Sequence, residues 1–186
     1  MDAVSAAFEA MPRSAFLPRH QQGHAAFDGP LDLGHGQTCS QPRTVAAMLR
    51  LLAVQPGDRV LDVGAGSGWT TALLAHLTGP GGSVVGVELE PELATSGAVH
   101  LAGTGQPWAR IDAAAPGVLG VPDEAPYDRV LVSAEADEVP GPLLDQLASP
   151  GRLVIPVAGQ MLLVVRDGEG RDRVTRHGRY RFVPLR

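Results

Sequence analysis

Residues Arg59–Trp69 read RVLDVGAGSGW, and no other stretch of this chain limits its folds so tightly. The apolar run Val60–Val63 has the composition of a strand buried on both faces. It ends in three glycines within five residues, Gly64, Gly66 and Gly68, with Ala65 and Ser67 between them, and a helical stretch over Thr70–Leu77 follows. Glycines let the backbone turn tightly and come close to a ligand, and the helix start presents free N–H groups beside it. A second strand, SVVGVELE, carries Glu88 at its end, 20 residues after Gly68, where a carboxylate can accept from both ribose hydroxyls. The pattern is G-x-G-x-G, with Trp69 where a dinucleotide site has its last glycine. That favours a nucleoside without a pyrophosphate, and S-adenosylmethionine is the usual one. A glycine turn that binds nothing is the alternative reading of the same letters.

Around this unit, strands and helices alternate. A helix is expected over Val4–Met11, stopped by Pro12, and a second over Gln41–Ala53, with Ser40 as N-cap and Val45, Met48, Leu49 and Leu52 on its apolar face. Pro91 opens another helix, WARID and YDRVLVSA read as strands, Pro142–Ala148 as a helix and RLVIPV as a strand. Val- and Leu-rich strands separated by helices mean an α/β fold, a mostly parallel sheet with helices on both faces. Asp167-Gly168 between two β-prone runs adds a C-terminal antiparallel hairpin. Arg13–Thr38, with Pro18, Gly23, Gly29, Pro30, Gly34 and Gly36, reads as an irregular loop long enough to line a site. We read residues 1–186 as one domain: an N-terminal helix and substrate loop (1–40), a nucleoside-binding core (41–157), and a C-terminal hairpin and tail (158–186).

Composition excludes several classes. Hydrophobic residues make up 44% and charged residues 19%, and no apolar run approaches the roughly 20 residues that span a bilayer, so a soluble chain without membrane attachment is expected. Cys39 is alone, and the N-terminus lacks the basic start and apolar core of a secretory signal, which points to the cytoplasm. Net charge is −5, yet residues 166–186 carry seven Arg against Asp167, Glu169 and Asp172, a local +4. The acidic body argues against nucleic acid as partner, and the basic tail reads as a solvated hairpin edge or a dock for an acidic partner. His20 and His24 lack Cys or acidic partners at ligand spacing, so no metal is expected. Trp69 and Trp108 read as core.

Taken in order, the segments MPRSAFLP, LDLGHGQTCSQPRTVAAML, PGDRVLDVGAGSGWTTALLAHL, VVGVELEPELA, APYDRV, LLDQLASPGRLVIPV and RFVPL resemble the protein-L-isoaspartate O-methyltransferase family over nearly the whole chain. The pairing of GHGQTCSQP with RFVPL is the specific part, since DVGAGSG alone indicates only a methyltransferase. The resemblance implies a Rossmann-like, S-adenosylmethionine-dependent methyltransferase that esterifies the carboxylate of isoaspartyl residues in damaged proteins and peptides. The product of the cofactor is S-adenosylhomocysteine, and a monomer is expected. Ser40 matches the family's active-site serine, with Gln37 and Thr38 beside it facing substrate and cofactor. Asp62, Gly64, Gly66 and Gly68, with Ala65 and Ser67, match the cofactor turn. Glu88, followed by Leu89, matches the ribose-binding acid. Asp112, followed by Ala113, matches the acid near the adenine, and the tail Arg181–Leu185 matches a segment that closes over the cleft.

A carboxylate nucleophile has a pKa near 4 and is already ionised at neutral pH, so such a site needs positioning and desolvation, not a strong base. Ser40 then reads as a donor to the substrate, although a serine ahead of Gln41-Pro42 reads equally as a helix cap worth about 1 kcal/mol. Cys39 is a small packed side chain. Arg43, one turn into the helix, either pairs with a substrate carboxylate or is exposed. Glu135, Asp137 and Glu138 follow the fourth alternating strand, on the side where such sheets bind ligands. Those acids either repel an anionic substrate or form a solvated loop. They motivate an alternative, an enzyme for one dedicated aspartyl peptide or a small carboxylic acid. A non-catalytic cofactor-binding module is a further one.

Overall fold

The computed structural model describes residues 2–186. Helix α1 (Ala3–Ala10) starts where Asp2 accepts the Ser5 N–H at 2.8 Å and stops before Pro12. The segment expected to be irregular contains two short 3-10 turns and a small hairpin, β1 (Leu31–Gly34) against β2 (Gln37–Cys39). Its two-residue turn puts His35 and Gly36 at φ 55° and 71°, the left-handed pair that matches the twist of a tight hairpin. Strands this short leave too little alternation to read from sequence. Helix α2 (Pro42–Leu52) buries Val45, Met48, Leu49 and Leu52 as expected. Its N-cap is Gln41, with Pro42 in the first turn, which corrects the assignment of Ser40 as cap. Asp28 takes over part of that duty from outside the helix, accepting the Arg43 N–H at 3.1 Å.

The remaining elements are β3 (Arg59–Val63), α3 (Trp69–Thr78), β4 (Ser83–Glu88), α4 (Pro91–Ala102), β5 (Ala109–Ala113), β6 (Tyr127–Val132), α5 (Gly141–Asp145), β7 (Leu147–Val157), β8 (Gln160–Arg166) and β9 (Asp172–Arg179). The sheet order is β5-β4-β3-β6-β7-β8-β9, parallel from β5 to β7 and antiparallel from β7 to β9. The C-terminal hairpin is present. Sequence shows one antiparallel connection at Asp167-Gly168, and the structure adds a second at Ala158-Gly159, whose φ values of 46° and 78° again make a tight hairpin.

Alternate residues of each strand serve two cores. Val60, Leu131 and Val154 pack under α1 to α4, whereas Leu61, Val63, Val130, Val132, Leu153 and Ile155 pack under α5 and the segment around Leu119 and Val121. The order reverses between β3 and β6, and at such a switch point the carboxyl ends of the strands leave a crevice.

Gly97 fixes how closely α4 lies on that crevice. A Cβ there would stand 2.8 Å from the Gly66 carbonyl oxygen, and one at Gly68 would stand 2.8 Å from the Gly97 carbonyl oxygen. Neither backbone can yield, which explains glycine in a helix interior where alanine would otherwise be favoured by about 1 kcal/mol. Gly97→Ala is expected to destabilise the fold by about 1–3 kcal/mol by overpacking. Denaturant unfolding measures this, and a variant as stable as the parent would refute the close approach.

Candidate active site

The glycine turn is held by backbone and carboxylate together. Gly64 and Ala65 donate to the Val87 carbonyl at 2.9 and 3.1 Å, and Gly66 donates to Glu88 Oε2 at 2.7 Å. Glu88 Oε1 accepts the Glu90 N–H at 2.9 Å, so one buried carboxylate ties β3, β4 and the start of α4. Each oxygen keeps a lone pair for a ligand. Among the described residues no side chain caps α3, whose N-cap is Gly68 at φ 92°, so the positive end of that helix stays free to meet an anion.

A cleft of about 360 Å³ opens above this turn. Of the sequence candidates, Gln37, Thr38, Ser40, Gly64, Ala65, Gly66, Ser67, Glu88 and Leu89 line it. Gly68 shapes the turn from behind the lining. Asp62 lies beneath, fully buried, with Thr71 Oγ1 donating to its Oδ2 at 2.7 Å and its Oδ1 without a partner among the described residues. Burial pushes its pKa up to about 7; the Thr71 hydroxyl opposes the shift and Glu88 adds to it.

Three candidates fall elsewhere. Asp112 is turned away from the cleft, paired at 2.8 Å with Arg110, which also meets Glu124, and Ala113 is exposed beside it. The strand pairing carries the chain past β5, so Ala114, Ala115 and Gly117–Gly120 form the wall that the sequence assigned to Asp112. Arg43 is largely exposed, 3.2 Å from Asp28, on a neighbouring groove.

The cleft is completed by the end of β6 and by the tail, the segment that the resemblance placed over it as Arg181–Leu185. Ser133 and Ala134 enter from the end of β6, and Val183–Arg186 enter from the tail. Glu135 holds that tail: its N–H donates to Val183 and its carbonyl accepts from Leu185, both at 2.7 Å. Its carboxylate accepts from Gly159 and Phe182 at 3.1 and 3.3 Å. Arg186 then reaches Glu90 at 2.9 Å. Of the acids suspected of repelling an anion, Glu135 is a latch, while Asp137 and Glu138 are exposed and absent from the lining. Trp69, at the cleft edge, is 3% exposed and donates to the Met11 carbonyl at 2.9 Å, and Trp108 donates to Ala75 at 2.8 Å. Among the described residues no group of three or more His, Cys, Asp or Glu is placed to hold a metal ion, and no helix is long and apolar enough to cross a membrane.

Sequence reading missed Arg13. It is 5% exposed, and its guanidinium donates to the carbonyls of Phe27 (2.9 Å), Gly29 (2.9 Å), Cys39 (2.8 Å) and Ser40 (3.0 Å) and reaches Cys39 Sγ at 3.4 Å. It also lies 5.5 Å from the Trp69 ring centre. This buried cation has no carboxylate partner within 4.0 Å among the described residues; it satisfies the loop's carbonyls instead. Burial pushes the neighbouring Cys39 thiol up, which keeps it protonated and unreactive. The Ser40 carbonyl is thereby pinned, while its hydroxyl has no hydrogen-bond partner among the described residues, and Ser40 lines both cleft and groove.

A doubly wound sheet with a glycine turn, a ribose-height carboxylate and a cleft at the switch point defines a Rossmann-like, nucleoside-dependent methyltransferase. More narrowly, the chain belongs to the protein-L-isoaspartate(D-aspartate) O-methyltransferase family, whose model matches residues 1–186. It is 45% identical over 186 residues to the protein-L-isoaspartate O-methyltransferase of Aeropyrum pernix, covering 98% of this chain and 72% of that one. The enzyme of the same name from Methanopyrus kandleri is 44% identical, with coverage of 98% and 82%. A solved protein-L-isoaspartate O-methyltransferase superposes with TM-score 0.88 at 26% identity over all of this chain, which spans 61% of the length of that one. A β-aspartate methyltransferase from Plasmodium falciparum, solved with S-adenosyl-L-homocysteine, gives TM-score 0.85 at 25% identity, with coverage of 100% and 91%.

Two outcomes follow from the buried groups. A carboxyl whose folded pKa is raised favours the fold when protonated, so Asp62 contributes stability below about pH 4 that is lost as pH rises to about 7. Unfolding free energy measured from pH 5 to pH 8 should therefore fall, relative to Asp62→Asn, by roughly 2–3 kcal/mol. Parallel pH profiles would refute a neutral Asp62. Arg13→Lys keeps the charge but concentrates its donors at one point, leaving loop carbonyls unpaired. It is expected to cost about 1–3 kcal/mol in denaturant unfolding, and a neutral result would mean the loop is held by other contacts.

Proposed function

We infer that this chain is an S-adenosylmethionine-dependent carboxyl O-methyltransferase acting on L-isoaspartyl residues of damaged proteins and peptides. The observation that carries the catalytic assignment is the Ser40 hydroxyl, free of the capping duty its sequence position suggested and standing where the cleft meets the groove. The residues present fit the cofactor: a turn without Cβ atoms at Gly64 and Gly66, a carboxylate at Glu88 with lone pairs to spare, the open end of α3, and apolar walls at Leu89, Val118 and Leu119. In this reading Gly64–Gly68, Glu88 and Leu89 hold the nucleoside, and Asp62 stiffens the turn from below.

When bound, S-adenosylmethionine supplies a sulfonium methyl group and leaves as S-adenosylhomocysteine. The substrate carboxylate is the nucleophile, ionised without help from a base. Ser40 would donate a hydrogen bond to one of its oxygens, leaving the other free as the nucleophile, while Gln37 and Thr38 bracket it. Val183–Leu185 cover the cleft and exclude the water that would dull the anion. The methyl ester then loses methanol to the following backbone nitrogen, and the ring so formed opens by hydrolysis to aspartate. With Glu135 engaged as a latch and Asp137 and Glu138 outside the cleft, no observation favours a dedicated aspartyl substrate. A cytoplasmic monomer is part of the same reading, and the lone buried thiol of Cys39 supports its reducing compartment.

Transfer of labelled methyl from S-adenosylmethionine to a matched isoaspartyl and aspartyl peptide tests it, scored as base-labile ester. Label on the isoaspartyl member alone is expected; equal label on both, or none on either, would overturn the reading. Ser40→Ala should lower kcat/KM by about tenfold or more with little change in melting temperature, because the hydroxyl caps no helix.

A further inference from the structure

A shallow groove of about 710 Å³ continues from the cleft past Ser40, sharing Thr38, Ser40, Ser133 and Val183 with it. Its lining includes Arg43, Arg179 and Arg181 and contains no Asp or Glu. Arg43 is offset by Asp28 at 3.2 Å. Arg179 and Arg181 are exposed and have no carboxylate within 4.0 Å among the described residues. Of the other five arginines of the tail, Arg166 is paired with Asp172, Arg171 with Asp167 and Glu169, and Arg186 with Glu90, while Arg173 and Arg176 are exposed, have no carboxylate within 4.0 Å among the described residues and lie outside the groove. In a chain with 20 acids and 15 Arg, two unneutralised cations flanking Tyr180 at the mouth of Ser40 run against the chain's own balance.

We propose that this groove selects isoaspartyl peptides whose flanking residues are acidic, with Arg179 and Arg181 as the specificity-determining side chains. The proposal rests on the activity inferred above for the direction of the peptide past Ser40. The carboxylate to be methylated must enter a cleft whose surroundings carry net negative charge, and a cationic groove lowers that barrier for a substrate richer in acids. Exposed pairs are individually weak, so the selectivity is modest: two of them amount to about three- to tenfold in KM or Kd at low salt, with kcat little changed. It disappears near 1 M salt, where the Debye length is about 3 Å.

Four labelled peptides of equal length separate the two readings, isoaspartyl or aspartyl at the centre and Glu or Gln on both sides. Fluorescence anisotropy with the full chain and S-adenosylhomocysteine reads the flanks, and methyl transfer reads the centre. Tighter binding of the Glu-flanked peptides, erased by salt and by the double variant Arg179→Gln/Arg181→Gln, supports the groove. If no peptide is methylated but this binding pattern holds, the groove stands and the inferred activity falls. Equal binding of Glu- and Gln-flanked peptides, or a preference that survives in the folded double variant, overturns the groove and leaves the activity intact. Displacement of the Glu-flanked peptide by a single-stranded oligonucleotide at lower concentration than by unlabelled peptide would overturn it in favour of nucleic acid.

Discussion

Everything above the sheet depends on one buried carboxylate accepting backbone N–H groups from two directions. Glu88 holds Gly66 at 2.7 Å and Glu90 at 2.9 Å, so the turn after β3 and the start of α4 share an anchor at the end of β4. Without it, a run of positive-φ glycines would have no reason to keep one shape, since each loses more conformational freedom on ordering than any other residue. With it, the turn can press against α4 at Gly97 and leave the cleft face bare of side chains. The same atoms that make the turn rigid leave the carboxylate's outer lone pairs for a nucleoside. Structural and binding roles are thus not alternatives at this position.

The two flanks of the cleft follow a similar logic with opposite charges. Arg13 is buried and spends its donors on carbonyls of the loop that carries Ser40, whereas Glu135 spends its acceptor atoms on N–H groups of the tail. Among the described residues neither is neutralised by a side chain. Each converts a flexible segment into a wall by satisfying its backbone polar groups, a requirement that grows as water is excluded. A long connection rich in Gly and Pro can line a site only if something accounts for its hydrogen bonds, and here one guanidinium takes four of its carbonyls while its own turns and the β1–β2 hairpin take others.

Much of this was legible in the sequence, and the failures have identifiable causes. The core strands, the glycine turn, Glu88 and the antiparallel finish follow from periodicity and spacing, which are local properties. Ser40 as N-cap did not survive because Asp28, remote in sequence, supplies an acceptor to α2. Asp112 was placed by the end of its strand, but its side chain finds Arg110 and the wall is built from residues beyond it. Arg13 gave no periodic signal because its role is a set of contacts to carbonyls up to 27 residues away. The acids at 135–138 looked like one electrostatic feature and are two, since the fold engages the first with the tail and exposes the others.

The charge distribution connects these points to the chemistry. Methyl transfer to a carboxylate asks a protein of net charge −5 to draw an anion toward Glu88 and Asp62. A buried Asp62 pushed up to about 7 carries less negative charge at neutral pH than its composition implies, which lowers the repulsion from below. Arg13 supplies an uncompensated positive charge directly behind Cys39 and Ser40, and Arg179 and Arg181 extend that sign outward along the groove. The cations therefore mark the path of the substrate more closely than any catalytic motif does, because the reaction needs no base and the work left to the protein is to bring an anion in and hold it still.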